Sequence, residues 1–111
     1  MTGVQTCALP ISKLVGEFLG TFVFLFAILQ SGLYQIGGSP AIQPFVIVIG
    51  LLVAIFMFGS ISGGHFNPAV SVMLAVRGDP QVDSTMKLVS FVVAQVLGGI
   101  AALYVRNLLA K

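Results

Sequence analysis

The chain has 111 residues, of which 58% are hydrophobic and 7% are charged, and its formal net charge is +2. A soluble domain usually carries about 25% charged residues, and a small fold buries only about 60–70% of its unfolded surface. The composition therefore excludes an ordinary soluble domain and favours a chain whose solvent is the lipid bilayer. The few positive charges form no basic patch, which argues against a nucleic-acid partner.

Residues 1–12 are predicted to be a non-native tail. The stretch MTGVQTCALPI (residues 1–11) is polar and aperiodic, and it resembles a translated sequencing adapter more than a natural segment. The alternative is a short natural cytoplasmic tail. Because the only cysteine, Cys7, lies in this tail, it indicates neither a redox compartment nor a metal site.

Three apolar stretches are predicted to span the membrane, at about residues 13–34, 41–59 and 85–107. About 20 helical residues cover about 30 Å, which is the thickness of the hydrocarbon core. Between the second and third spans, residues 60–77 form a polar break followed by a helix that could cross only about half the core. This order predicts a re-entrant loop and a half-helix.

Small residues recur four apart in each predicted span, a spacing that lets helix backbones approach closely in lipid. The sequence therefore predicts a tight helical bundle. The cationic residues near the predicted turns favour one side of the membrane, so the positive-inside rule predicts a cytoplasmic N-terminus. The small residues are Gly16, Gly20, Gly50, Ala54, Ala94, Gly98 and Ala102, and the cations are Lys13, Arg77 and Lys87.

The break contains the stretch SGGHFNPAVS (residues 62–71). Non-helical backbone at membrane depth is tolerated only inside protein or along a wet cavity. Glycine permits the unusual dihedral angles that such a loop requires. We therefore predict that the loop carbonyl groups line a wet path as a series of acceptors, contributed by Gly63, Gly64, His65 and Phe66.

Asn67 and Pro68 are predicted to begin the half-helix. Asparagine is a good N-cap, and proline fits the first helical position. The Asn67 carbonyl oxygen would accept from the N–H of Ala69 or Val70, which leaves its NH₂ group free to donate into the cavity. The positive end of the helix dipole disfavours cations, so the site suits water or a small neutral solute.

Two polar residues inside the spans are predicted to support the loop. A carboxylate at Glu17 should face the bundle interior and accept from free N–H groups of residues 62–66; the alternative is a side chain that reaches the interface. Gln95 has the same interpretation.

His65 has two open interpretations, a structural role or direct contact with the permeating molecule. No second histidine, cysteine or carboxylate cluster accompanies it, and no serine is evident as its nucleophilic partner. We therefore expect no metal, no cofactor and no enzymatic activity.

Three motifs in order resemble the major intrinsic protein family of aquaporins and aquaglyceroporins: GEFLGTF (residues 16–22), SGGHFNPAVS (62–71) and AQVLGGIAA (94–102). The resemblance implies an all-α membrane bundle of six spans and two half-helices, built from two inverted repeats. It also implies homotetramers with one pore per subunit. Residues 67–69 match the first NPA box, which implies that Asn67 donates to the permeant and that the loop carbonyls line the cytoplasmic half of the pore.

Residues 13–111 match only the first repeat: three spans and one re-entrant half-helix. The second NPA box and the filter arginine that follows it are absent from this sequence. The filter position on the second span falls at Ile47 without a gap, or at Ile49 with a two-residue deletion. Either residue is aliphatic, which leaves water and glycerol open as permeants.

The favoured hypothesis is a passive channel for water or small neutral solutes, of which the chain is the N-terminal half. One alternative is a glycerol channel of the aquaglyceroporin type. Another is a non-conducting three-span protein that acts through assembly. Each hypothesis places a multi-pass protein in a bacterial or plasma membrane.

Overall fold

The computed structural model describes residues 10–32 and 42–110. These residues form four α-helices and one short 3₁₀ turn, Pro80–Val82, and they contain no β-strand. The helices are α1 (Ile11–Ser31), α2 (Gln43–Ser62), α3 (Pro68–Arg77) and α4 (Thr85–Leu109). Residues 1–9 of the predicted tail lie outside the described residues.

Helices α1, α2 and α4 are each long and apolar enough to cross a membrane, whereas α3 has only ten residues. Helix α1 packs against both α2 and α4, and α3 packs against α4. The predicted fold class, an all-α membrane protein with three spans and one half-helix, is confirmed. The bundle encloses a narrow polar interior, and most of its large apolar side chains face outward.

The close packing of these helices depends on small residues where they cross. A Cβ atom added at Gly16 would lie 3.0 Å from Cβ of Ser62 on α2. A Cβ atom at Gly50 would overlap the side chain of Ala27, and one at Gly98 would overlap the backbone oxygen of Phe18. The small residues therefore let α2 and α4 approach α1 almost backbone to backbone.

Helix α2 continues three residues beyond the predicted end of its span and stops at Ser62. The polar residue Ser60 continues the helix, because serine on its own does not end one. Gly63 caps this end of the helix, with φ at +97° and its backbone N–H donating to the Gly59 oxygen at 2.7 Å. The irregular loop is therefore shorter than predicted and covers residues 63–67.

The turn between α3 and α4 is closed by local hydrogen bonds. Gly78, with φ at +93°, ends α3, and the Asp79 side chain accepts from the N–H of Gln81 at 3.0 Å. Ser84 caps α4 by accepting from the N–H of Lys87 at 3.2 Å. This compact turn brings α4 back beside α1, with α3 packed against α4.

Candidate functional site

The re-entrant loop has an unusual backbone conformation. Gly63, Gly64 and Phe66 all have positive φ angles, of 97°, 73° and 52°. For a bulky residue such as Phe66 this conformation is unfavourable, at a cost of about 1–3 kcal/mol. Surrounding contacts must therefore hold the loop in place.

Glu17 supplies the main contact. Its side chain is fully buried and accepts four hydrogen bonds. Oε2 accepts from Ser62 Oγ at 2.6 Å and from the His65 N–H at 3.2 Å, while Oε1 accepts from the Phe66 N–H at 2.9 Å and from Gln95 Nε2 at 2.7 Å. Each oxygen of the carboxyl group thus has two hydrogen-bond partners. The side chain therefore faces the loop rather than the lipid interface.

Gln95 extends this network from α4 to α3. Its Nε2 donates to Glu17 Oε1 and also to Ser71 Oγ, at 2.8 Å. The side chain is 1% exposed, and its Oε1 has no partner among the residues that the structure describes. The same is true of the buried hydroxyl of Thr21. Both residues line the cavity that adjoins the start of α3.

Ser71 is a site residue that the sequence analysis missed. Its side chain is fully buried, and its Oγ lies 2.9 Å from His65 Nδ1. The His65 ring also packs against Phe91, with ring centroids 4.7 Å apart. One available signal was that Ser71 lies four residues after Asn67 and therefore on the same helix face. A buried hydroxyl with two partners is poorly placed to attack a substrate.

Asn67 has the geometry of an N-cap. Its backbone is extended, its Oδ1 accepts from the Ala69 N–H at 2.8 Å, and its backbone oxygen accepts from the Ser71 N–H at 3.1 Å. Pro68 occupies the first turn of α3. The carbonyl end of the Asn67 side chain is thus committed to the helix, and its NH₂ group has no acceptor among the described residues.

Asn67 and Pro68 border a cavity of about 390 Å³ between α1, α4 and the loop. Most of its wall is apolar, and the polar groups belong to Thr21, Asn67 and Gln95. A larger groove of about 640 Å³ lies between α1 and α4, away from the polar network, and its lining is almost entirely apolar. The smaller cavity is therefore the candidate binding region.

The loop carbonyl groups remain available as acceptors. Within residues 10–32 and 42–110, no hydrogen bond is directed to the backbone oxygens of Gly63, Gly64, His65 or Phe66. Unpaired carbonyls inside a bilayer are costly unless water or another ligand reaches them. Of these four residues, only Phe66 lines the cavity beside Asn67, so a wet path along the other three carbonyl groups stays a prediction.

Ile47 lies apart from these residues. It is half-buried on α2, three residues before Gly50, on the side of the helix that meets α1. It does not line the cavity beside Asn67. Its role as a filter residue therefore stays a prediction.

The contact between Gly20 and Phe66 provides a test of the loop's support. A Cβ atom at Gly20 would overlap the ring of Phe66, which is 1% exposed. Gly20→Ala is therefore expected to lower the free energy of unfolding by about 1–3 kcal/mol. Unfolding in mixed micelles, followed by circular dichroism, would measure it.

Gly59→Ala is the matched control, because its new Cβ would meet Ile55 at an ordinary 3.4 Å. It should leave stability unchanged or raise it, since alanine favours a helix by about 1 kcal/mol over glycine. Equal stability for the two variants would contradict a tight contact at Gly20.

A comparison with known sequences defines the family. A sequence profile described as Major intrinsic protein matches residues 4–111. This chain belongs to the major intrinsic protein family. Proteins of this family are membrane channels, and three helices of this chain are long and apolar enough to cross a membrane, so the chain is an integral membrane protein.

Two relatives illustrate the similarity to this major intrinsic protein chain. Aquaporin Z of Brucella melitensis is 39% identical over 107 residues, which are 91% of this chain and 45% of that protein. Aquaporin-5 of Sus scrofa is 37% identical over 100 residues, which are 87% of this chain and 37% of that protein. The chain thus spans less than half the length of either relative. No solved structure matches it significantly.

Proposed function

We propose that this chain forms the first half of a passive membrane channel for water. The main support is Asn67, whose carbonyl oxygen caps α3 at 2.8 Å and whose NH₂ group is left to donate to a passing molecule. At the start of the half-helix, a passing molecule therefore meets a hydrogen-bond donor and no acceptor from this side chain. Water, which both donates and accepts, fits that arrangement.

The hydrogen-bond acceptors next to the Asn67 NH₂ group belong to the loop. The free carbonyl oxygens of residues 63–66 could replace the hydrogen bonds that water loses on entering the membrane. Glu17 supports this loop from α1 through the N–H groups of His65 and Phe66. Because Glu17 accepts from these N–H groups on the α1 side, the loop oxygens on the other side stay free to accept from water.

The electrostatics favour a neutral permeant. The N-terminal end of α3 carries a partial positive charge, and Asn67 adds a donor at the same place. Cations are therefore disfavoured near Asn67. We also propose that the N-terminus of the chain faces the cytoplasm of a bacterial or plasma membrane, and that the complete channel is a homotetramer.

Glycerol is the second candidate permeant. It is favoured by the aliphatic side chain at the proposed filter position, Ile47, where an aromatic residue would narrow the path. A non-conducting three-span protein is the alternative in which this chain acts through assembly.

Osmotic shrinkage of proteoliposomes tests these functions. This chain would be fused after residue 111 to the second repeat of the Brucella aquaporin Z, and its flux compared with that of the chain alone. We expect rapid water flux only from the fusion, because the cavity beside Asn67 requires a second wall. Glycerol flux, measured in the same vesicles, separates the two permeants.

The matched control is the same fusion with the NPA residues of the second repeat replaced. A properly assembled fusion that conducts neither water nor glycerol would contradict the channel proposal and favour the non-conducting alternative. Tetramer content, measured by crosslinking, tests the assembly separately.

A further inference from the structure

We propose that Gln95 and Ser71 are positioning residues that hold His65 as the neutral tautomer with its hydrogen on Nε2. The inference goes beyond the proposed channel function and does not depend on which solute passes. It follows from the direction of each hydrogen bond in a buried chain that runs from Glu17 to His65.

Glu17 determines the orientation of the Gln95 amide. Both oxygens of Glu17 accept hydrogen bonds from the loop backbone, Oε2 from the His65 N–H and Oε1 from the Phe66 N–H. The Gln95 atom 2.7 Å from Glu17 Oε1 must therefore be the NH₂ nitrogen, because an oxygen there would face another oxygen. The carboxylate thus fixes which way the amide points.

Gln95 in turn determines the direction of the Ser71 hydroxyl. The Gln95 NH₂ group has a second hydrogen, and it points to Ser71 Oγ at 2.8 Å. The Ser71 oxygen is thus an acceptor from Gln95, and its own hydrogen is free to donate. Among the described residues, the acceptor within reach is His65 Nδ1, at 2.9 Å.

The Ser71 hydroxyl then determines the tautomer of His65. A nitrogen that accepts from Ser71 carries no hydrogen, so in the neutral ring the hydrogen must lie on Nε2. Within the described residues Nε2 makes no hydrogen bond, so the ring offers one donor beside the loop. Because Ser71 occupies Nδ1, the ring is poorly suited to pass a proton from one nitrogen to the other.

The chain suits a direct measurement, because His65 is its only histidine. Nitrogen-15 labelling of histidine, followed by magic-angle-spinning NMR of the chain in lipid bilayers, reads the two ring nitrogens individually. We expect the hydrogen-bearing nitrogen to be Nε2 and the unprotonated nitrogen to be Nδ1, shifted by an accepted hydrogen bond. A hydrogen on Nδ1, or an even mixture of tautomers, would overturn the proposal.

Two variants test the positioning roles. In Ser71→Ala, the Nδ1 signal should move to the position of a nitrogen without a hydrogen-bond donor. In Gln95→Leu, no second donor competes with the histidine for the Ser71 oxygen, so the population with hydrogen on Nδ1 should rise. Ser90→Ala is the control, because Ser90 is half-buried on α4, outside the hydrogen-bonded chain from Glu17 to His65, and its Oγ donates to the Met86 backbone oxygen.

The Ser90→Ala spectrum should match that of the unaltered chain. Circular dichroism of every variant checks that the helices are retained. Unchanged ring signals in both folded variants would show that Ser71 and Gln95 do not set the tautomer. If one variant fails to fold, the other variant and the unaltered chain still decide the question.

Discussion

Glu17→Gln is expected to destabilise the folded chain by about 3–5 kcal/mol, because hydrogen bonds to a buried charge contribute about 1.5–3 kcal/mol each. Glutamine has nearly the same shape, but one of its two oxygens becomes an NH₂ group. Each carboxylate oxygen of Glu17 accepts from two donors. Turned one way, the new NH₂ group faces the N–H of Phe66 and the NH₂ of Gln95. Turned the other way, it faces the N–H of His65, while the Ser62 hydroxyl turns to the Phe58 oxygen. In either orientation a buried donor faces another donor, and the remaining bonds lose their charged acceptor.

Denaturant titration in mixed micelles, followed by circular dichroism, would measure this loss. Asp83→Asn is the matched control, because it also converts a carboxylate to an amide. Asp83 pairs with Lys87 at 3.0 Å on the exposed turn, where an ion pair contributes about 0–1 kcal/mol. Similar losses in the two variants would mean that the buried carboxylate does not hold the loop.

The start of α3 could be predicted from the sequence because its causes are local. An asparagine that accepts from an N–H two residues later, followed by a proline without an N–H, defines a helix start by itself. The structure has this cap, with Ala69 rather than Val70 as the donor. The three spans were equally predictable, since length and apolar composition decide them.

The interior of the site could be predicted only in part. A buried carboxylate needs hydrogen-bond donors, and the free backbone N–H groups of the loop were the expected partners of Glu17. Which donors it finds depends on how far α1 and α4 are shifted and rotated against each other. Gln95 meets Glu17 because of that register, and it meets Ser71 because α3 packs against α4. No pattern within one helix specifies either contact.

The position of Ile47 depends on geometry of the same kind. A residue on α2 borders the path only if the helix is rotated so that this residue faces it. The contact between Gly50 and Ala27 marks the face of α2 that meets α1, and Ile47 lies three residues before Gly50. Counting residues back from Asn67 gives a residue's height along the path but not its direction, so the filter role of Ile47 stays a prediction.

Asn67→Asp is expected to reduce water flux through the fused channel by about tenfold or more. The aspartate can still accept from the Ala69 N–H, so α3 keeps its cap and the fold is retained. What changes is the other end of the side chain, where an NH₂ donor becomes a negatively charged acceptor. Water at this point then meets acceptors on both sides, and the loss of one well-placed donor costs about 1.5 kcal/mol.

The same substitution at Asn107 is the matched control, because Asn107 lies exposed near the end of α4 and is the only other asparagine in the chain. Asn107→Asp should leave the flux unchanged. Asn67→Ser adds a finer comparison, since serine keeps the cap and one donor and should conduct better than the aspartate variant. If Asn67→Asp conducts water as fast as the unaltered fusion, the free NH₂ group does not contact the permeant, and Asn67 serves only as a helix cap.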